Sequence, residues 1–344
     1  MNPLTKFGAL ASFSLSIYYS KWKKTELKWV IPLLILFLIV ALRNDRTTLF
    51  IYGLALIAGK KENFKDICSI TFFTNLICII VIVLFSLIGI LDLQIVNHEG
   101  QKAYNFGFAY YYTLSFYVLF LSILGYYLFC NVKNKINIFY TCVIIGVMNY
   151  ITYRLVTVRL TFICSILLVL LILLYDGYNF KNNSRINYYI SLCMYPSMFI
   201  LSILLPFFFQ VNELGIKLDQ LLNGRLFLGK MAFERYIPKL FGNLIITNNE
   251  ANHYFYIDSG YIYLVLGFGI ILTVLVLSAY TLIGLKASEQ KNSKILVWCI
   301  IVCIFSFVNN PLMDLTMNPL LFLGIPRFIQ FLRNKNNLRL GRLV

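Results

Sequence analysis

Eleven apolar segments, roughly 7–20, 29–42, 47–59, 67–91, 108–130, 136–157, 160–176, 188–210, 257–283, 295–310 and 317–330, follow one another with little polar sequence between them. Crossing a bilayer takes about 20 apolar residues in helical form. An open strand in lipid would leave backbone N–H and C=O groups unpaired, so such segments must fold as helices. Composition agrees: 60% of the 344 residues are hydrophobic and 13% are charged, whereas soluble domains carry about 25% charged residues. The sequence predicts an all-α polytopic membrane protein of about 11 spans, or about 10 if segment 7–20 lies on the surface. It reads as a single integral membrane domain over residues 1–344, with one long connection at 211–256.

Orientation follows from the basic residues. Thirty Lys and Arg against fourteen Asp and Glu give a net charge of +16, which in a soluble chain would suggest nucleic acid. Here they cluster between apolar segments, as cytoplasmic loops of membrane proteins do, and nucleic acid is not expected as a partner. Placing 21–28, 60–66, 131–135, 177–187, 284–294 and 327–344 in the cytoplasm puts 19 of the 30 basic residues there. Five of the other eleven fall in 211–256, and long loops cross regardless of charge. The eight cysteines lie in or beside apolar runs, without the spacing of a disulfide framework or a zinc site. Cys299 and Cys303 read as small core residues.

The connection 211–256 is far longer than a turn requires, and long loops in compact proteins are usually functional. Its first half reads as an amphipathic helix through Leu218, Leu221, Leu222 and Leu226, interrupted at Gly224 and ended by Pro238. Ionisable groups at a bilayer's edge are costly and usually face polar cavities, so basic residues on the outer side stand out. Arg154 and Arg159 flank the turn in TYRLVTVRLTF, and Arg225, Lys230, Arg235 and Lys239 follow one another in the long loop. The planar fork of Arg suits phosphate or pyrophosphate; snorkelling to lipid headgroups is the other reading. Arg43 and Arg46 bracket Asp45 and read as turn residues.

Proton handling falls to fewer residues. Asp258, in HYFYIDSGYIYLVLGFG, stands where a span begins, and His253 lies five residues before it; His98 is also on the outer side. An acid there can take a proton from a sugar hydroxyl or simply favour the helix amino terminus. Glu234 reads as an ion pair and Asp314 as a turn residue. Tyr104 to Tyr112 and Tyr254 to Tyr261 supply two aromatic rims, either an interfacial belt or platforms for sugars. No P-loop, Rossmann glycine pattern, HExxH, GxSxG or DxD occurs, so nothing indicates a bound nucleotide or metal.

Several of these motifs, in this order, resemble the Wzy-type O-antigen and capsular polysaccharide polymerases in their Gram-positive form. The likeness covers most of the chain: LIGILDL before an outer loop, NFGFAYYYTLS, the TVRLTF turn, NGRL and KLFGN in the long loop, YIDSGYIYLVLGFGI and NNPLMDLTMNP. Gly224-Arg225, Val158-Arg159 and Asp258-Ser259-Gly260-Tyr261 match the family's loop and turn motifs. The chain departs from them at Gln101-Lys102, where relatives often have Arg, and at Ser259, where they have Asn. The resemblance implies a membrane glycosyltransferase of GT-C-like architecture in a bacterial cytoplasmic membrane, needing no metal, nucleotide or other cofactor. It would move a glycan from undecaprenyl pyrophosphate onto a lipid-linked repeat unit. Arg159 and Arg225, with Arg154, Lys230 and Arg235, would hold the pyrophosphate, and Asp258 or His253 would be the base. Lipid-linked oligosaccharides, membrane lipids, a flippase and a chain-length regulator would be its partners. An O-antigen ligase-like transferase and a lipid-linked oligosaccharide flippase are the alternatives.

The charge count makes a direct prediction. In a cysteine-free background, a cysteine placed in 211–256 reacts with an impermeant thiol reagent on intact cells, and one placed in 284–294 does not. The reverse pattern inverts the topology.

Overall fold

The computed structural model describes residues 3–19, 24–98, 101–208, 213–248 and 255–324. It is 75% helical. In chain order the helices are α1 (Pro3–Tyr19), α2 (Lys24–Arg43), α3 (Thr47–Ala58), α4 (Phe64–Leu87), α5 (Thr113–Phe129), α6 (Lys135–Val156), α7 (Arg159–Ile172), α8 (Ser184–Phe208), α9 (Glu213–Leu221), α10 (Arg225–Arg235), α11 (Gly260–Tyr263), α12 (Ile270–Glu289) and α13 (Ser293–Phe305). Among the described residues, five stretches are long and apolar enough to cross a membrane: α4, α6, α7 with its continuation to Gly177, α8 and α12. The outward surfaces of α4 and α6 carry exposed Ile70, Ile77, Leu84, Ile136 and Ile144, contiguous apolar area of the kind that meets lipid rather than water. Inside them α13 is almost wholly buried, with Trp298, Cys299 and Val302 at 0% exposure. The protein is a helical membrane protein.

Connections that the charge count put on one side do meet in space. Lys60 pairs with Glu26 at 2.6 Å, joining 21–28 to 60–66. Buried Asp176 accepts from Tyr126 Oη at 2.5 Å and pairs with Lys181 at 3.1 Å, while Lys294 Nζ donates to the Tyr127 carbonyl at 2.8 Å. These contacts gather the carboxyl end of α5, 177–187 and 284–294 at one end. Lys291 in that cluster is exposed and Ser293 buried, which makes Lys291 the position for a cysteine reporter.

Three expectations are corrected. The outer connection after α4 is not only loop: β1 (Ile95–His98) pairs antiparallel with β2 (Gln101–Tyr104), Ile95 opposite Tyr104. The segment 257–283 is not one span. α11 runs through a π turn at Leu264–Phe268 and stops at Gly269, with φ +92°, before α12 starts afresh. The break admits the end of the long loop, whose Lys239 and Leu240 carbonyls accept from the Ile270 and Ile271 amides at 3.0 and 3.3 Å. Backbones touch there: a Cβ on Gly242 would overlap the Gly267 carbonyl, and one on Gly269 the Gly242 amide.

The third correction concerns the end of the chain. The sequence predicts a span over 317–330, but the described part is a 3-10 turn, Pro319–Leu323; residues 325–344, including the basic tail, lie outside the described residues. Before it, 306–318 runs back beside α13 without regular structure. Buried irregular backbone must find other partners, and side chains supply them. Fully buried Asn318 accepts from Trp298 Nε1 at 3.1 Å and donates to Tyr280 Oη at 2.8 Å and the Pro311 carbonyl at 3.2 Å. Tyr280 Oη donates to the Leu312 carbonyl at 2.9 Å, and Asn75 Nδ2 to the Thr316 carbonyl at 2.7 Å. Asp314 accepts from the Thr316 amide at 3.0 Å, a turn residue as the sequence reads it.

Each buried polar group left unpaired costs about 1–3 kcal/mol. Asn318→Ala is therefore expected to lower the thermal midpoint in detergent, and Trp298→Phe to lower it less. Because the two side chains share a bond, their effects should combine to less than their sum; strict additivity would show that the Asn318–Trp298 bond carries none of the stability.

Candidate active site

The long loop places its functional side chain through a turn that the sequence marks. α9 ends at Leu221, Asn223 and Gly224 take left-handed φ of 54° and 76°, and α10 begins at Arg225. Asp219 Oδ1 accepts from the Leu226 and Phe227 amides at 2.8 and 3.2 Å, tying the start of α10 to α9. Buried Leu226, Leu228, Gly229 and Ala232 turn inward, and the Phe233 ring packs tilted against Phe207 of α8 at 5.4 Å. Arg225 is thus held at the first position of a helix clamped to the bundle.

Asp258 is positioned by its neighbours. Ser259 Oγ bonds Ser202 Oγ of α8 at 2.7 Å. The Gly260 amide donates to the Ser306 and Asn309 carbonyls, both at 2.9 Å, and Tyr261 Oη to the Cys303 carbonyl at 2.9 Å. The carboxylate Oδ2 lies 3.4 Å from Arg225 Nε, with the side chains 25% (Arg225) and 31% (Asp258) exposed. This is an ion pair without the alignment of a hydrogen bond, since Nε–H finds no acceptor. Arg225 Nη1 reaches the Leu222 carbonyl at a long 3.4 Å.

Both groups line a cleft of about 600 Å³, within the usual range for ligand sites. The first turn of α7 forms another wall, with Val158, Arg159, Leu160 and Ile163. Thr157 with φ +58° ends α6, and Val158 caps α7 without any side-chain bond. Arg159 and Arg225 each occupy the first residue of a helix, the end that favours anions and disfavours cations by about 0.3–1 kcal/mol. Two cations thus line one cleft at positions where helix dipoles disfavour them. The mouth carries Tyr110, Tyr112 and Tyr256. Tyr110 and Tyr112 stack at 5.3 Å and 8°, and the Tyr110 and Tyr256 hydroxyls approach to 3.4 Å. Tyr256 thus joins the rim of Tyr110 and Tyr112, whereas Phe255 and Tyr261, which the sequence places on a second rim, are fully buried, and Tyr254 lies outside the described residues.

Other residues that the sequence singles out lie elsewhere. Arg154 is exposed in the last turn of α6 and does not line the cleft. Lys230 pairs with Glu234 at 3.8 Å along α10, so Glu234 serves Lys230 rather than Arg235. The Arg235 guanidinium lies 4.3 Å over the Phe255 ring, in a different pocket. Among the described residues the cleft therefore unites Arg159, Arg225 and Asp258, while Lys230, Arg235 and Arg154 stay outside it. His253 lies outside the described residues. Sequence reasoning passed over Asp219, which anchors α10, and Asn309, which lines the cleft. The Asn309-Asn310 pair within an apolar stretch was the available signal. The chain matches no protein-family model, no curated protein and no solved structure.

Burial raises the Asp258 pKa above the ordinary carboxylate value, and the Arg225 charge pulls it back only in part. Desolvation wins, which makes the carboxylate a stronger base than a solvated one. Arg225→Gln removes the opposing pull, so the pKa of Asp258 should rise further. Infrared titration of the carboxyl C=O band, assigned with Asp258→Asn, should show the protonated form persisting to higher pH in Arg225→Gln than in wild type. A shift to lower pH would contradict the pairing.

Proposed function

We propose that this protein is a polysaccharide polymerase of the bacterial cytoplasmic membrane. It transfers the glycan of an undecaprenyl-pyrophosphate-linked donor to a lipid-linked repeat unit at the outer membrane face. The observation that carries this reading is the meeting, in one cleft, of Arg159, Arg225 and Asp258, which are far apart in sequence. An anion site beside a carboxylate of raised pKa is the minimum needed to expel a pyrophosphate while accepting a hydroxyl proton. The tyrosines at the mouth fit a sugar, whose apolar faces stack on rings.

The step balances without a cofactor. The acceptor hydroxyl oxygen attacks the anomeric carbon of the donor glycan as the bond from that carbon to the pyrophosphate oxygen breaks. The hydroxyl proton passes to Asp258, and the electron pair leaves on undecaprenyl pyrophosphate. Arg225 and Arg159 neutralise the charge growing there; losing one such contact commonly costs about 2.7–4 kcal/mol of transition-state stabilisation. Donor binding also acts on the base. When the pyrophosphate engages Arg225, that charge no longer depresses the Asp258 pKa, which then rises above its value in the free protein.

The test uses purified protein in vesicles supplied with lipid-linked repeat units. Wild type should lengthen them into a ladder; Asp258→Asn should slow this by roughly 10²–10⁴-fold, and Arg225→Lys should not restore what Arg225→Ala loses, because Lys cannot make the bidentate contact. Activity should fall as pH drops through the Asp258 pKa. That limb should lie at higher pH in kcat, which reports the bound complex, than in kcat/KM, which reports the free enzyme. Full activity in Asp258→Asn with loss in His253→Ala would give the proton to His253. No ladder from wild type, with donor moved across the vesicle wall, would replace the polymerase reading by a transporter.

A further inference from the structure

A second cationic pocket lies at the other end of α10. Arg43 is the last residue of α2, Arg235 the last of α10, and Lys239 follows Pro238. The three come from separate stretches of chain and line one pocket of about 380 Å³. Each arginine taken alone is accounted for by the helix carboxyl terminus it occupies, where a cation is favoured. That does not account for three cations converging on a single space. No carboxylate among the described residues pairs with any of them.

The wall of the pocket is fixed, while the three cations on it are themselves exposed. The Arg235 guanidinium is stacked at 4.3 Å on the fully buried Phe255 ring. Asn243 Nδ2 donates to the Ile237 and Leu266 carbonyls, both at 2.9 Å, and its amide also bonds Leu266 at 2.9 Å. The Lys239 carbonyl is tied to Ile270 at 3.0 Å. The wall is therefore fixed to the break before α12, and among the described residues the like charges gathered on it have no paired carboxylate.

From this we infer that Arg43, Arg235 and Lys239 form a second site for the phosphate or pyrophosphate headgroup of a membrane-anchored lipid, distinct from the Arg159–Arg225 cleft. α10 holds the two sites at its opposite ends. Ten steps of about 1.5 Å put Arg225 and Arg235 about 15 Å apart along its axis. Arg43 and Lys239 suit phosphate as a fork and a point charge respectively. A polymerase must hold two lipid-linked substrates together, and two pyrophosphates in one cleft would repel each other. On the polymerase reading, the second site therefore takes the acceptor's pyrophosphate; the phosphate chemistry of the pocket stands without that reading.

Native mass spectrometry of the full-length detergent-purified protein tests this with two probes, undecaprenyl pyrophosphate and phosphatidylglycerol. Wild type should bind two equivalents of undecaprenyl pyrophosphate. R43Q/K239Q should lose one of them, with at least tenfold weaker binding at that site, while R159Q/R225Q loses the other. The charge-preserving R43K/K239R should regain the equivalent, which separates loss of charge from misfolding. If R43Q/K239Q instead keeps both undecaprenyl pyrophosphates but releases phosphatidylglycerol that wild type holds, the site stands and bulk phospholipid is its ligand. Wild-type retention of both lipids by R43Q/K239Q overturns the inference. Polymer formation is not read out, so failure of the polymerase reading would leave this result intact.

Discussion

Irregular backbone inside a helical membrane bundle must have every polar group satisfied by protein, because lipid offers no partners. This constraint shapes the part of the chain that matters most. Two stretches, 255–259 and 306–318, run without regular helix among buried side chains, and they survive because neighbours supply bonds that a helix would have made for itself. Tyr280 places a buried hydroxyl on the Leu312 carbonyl, while Tyr195 and Tyr261 tie α8 and α11 to α13 through the Cys299 and Cys303 carbonyls. Asn318 closes the network at Trp298 and Pro311. Loss of any one bond exposes a penalty of about 1–3 kcal/mol, large against a typical net stability of about 5–15 kcal/mol. In return the broken stretches carry Asp258 and Asn309 to the cleft on main chain pinned at Gly260, which a continuous helix through 257–283 would not do.

Electrostatics at the cleft runs against local stability at two places. Arg159 and Arg225 sit at helix amino termini, where the dipole repels a cation. Asp219 relieves part of this at α10 by taking two of its first amides; α7 has no side-chain cap at all. Strain of this kind is expected where a structure is arranged for a ligand rather than for itself. An anion in the cleft would relieve both.

Much of this was legible in the sequence, for definite reasons. Apolar length marked most helices, because a lipid-facing helix advertises itself over its whole surface. Gly224 and Pro238 marked the limits of α10, since left-handed φ and a missing N–H are local properties. What failed was whatever depends on tertiary contact. Apolar residues at 260–268 and 319–323 read like their spanning neighbours, since burial in protein and burial in lipid select the same side chains. The pairing of β1 with β2 was hidden in a polar loop without a strong alternation. The grouping of Arg225 with Asp258 rather than with Lys230 or Arg235 follows from the helical turn of α10: residues 225 and 235 share a loop in sequence yet occupy opposite ends of a rod. The proximity of Tyr110 to Tyr256 could not be read at all, as 146 residues separate them.

The Arg225–Asp258 pair is most informative for its half-exposure. Were it fully buried, separating the charges would leave each uncompensated at a cost of about 3–5 kcal/mol, and a ligand could not open it. Were it fully exposed, solvent would screen it to about 0–1 kcal/mol, and the carboxylate would titrate as an ordinary acid with no gain in basicity. At 25% and 31% exposure the pair sits between these limits. Burial keeps the Asp258 pKa raised despite the adjacent cation, and the 3.4 Å contact lacks the alignment that would lock it. On the proposed reading, a pyrophosphate, carrying more charge than a carboxylate and matching the guanidinium fork, would compete for Arg225 without first paying for a buried charge. Anion binding and strengthening of the base would then be one event, with the base paired to the cation that the leaving group needs.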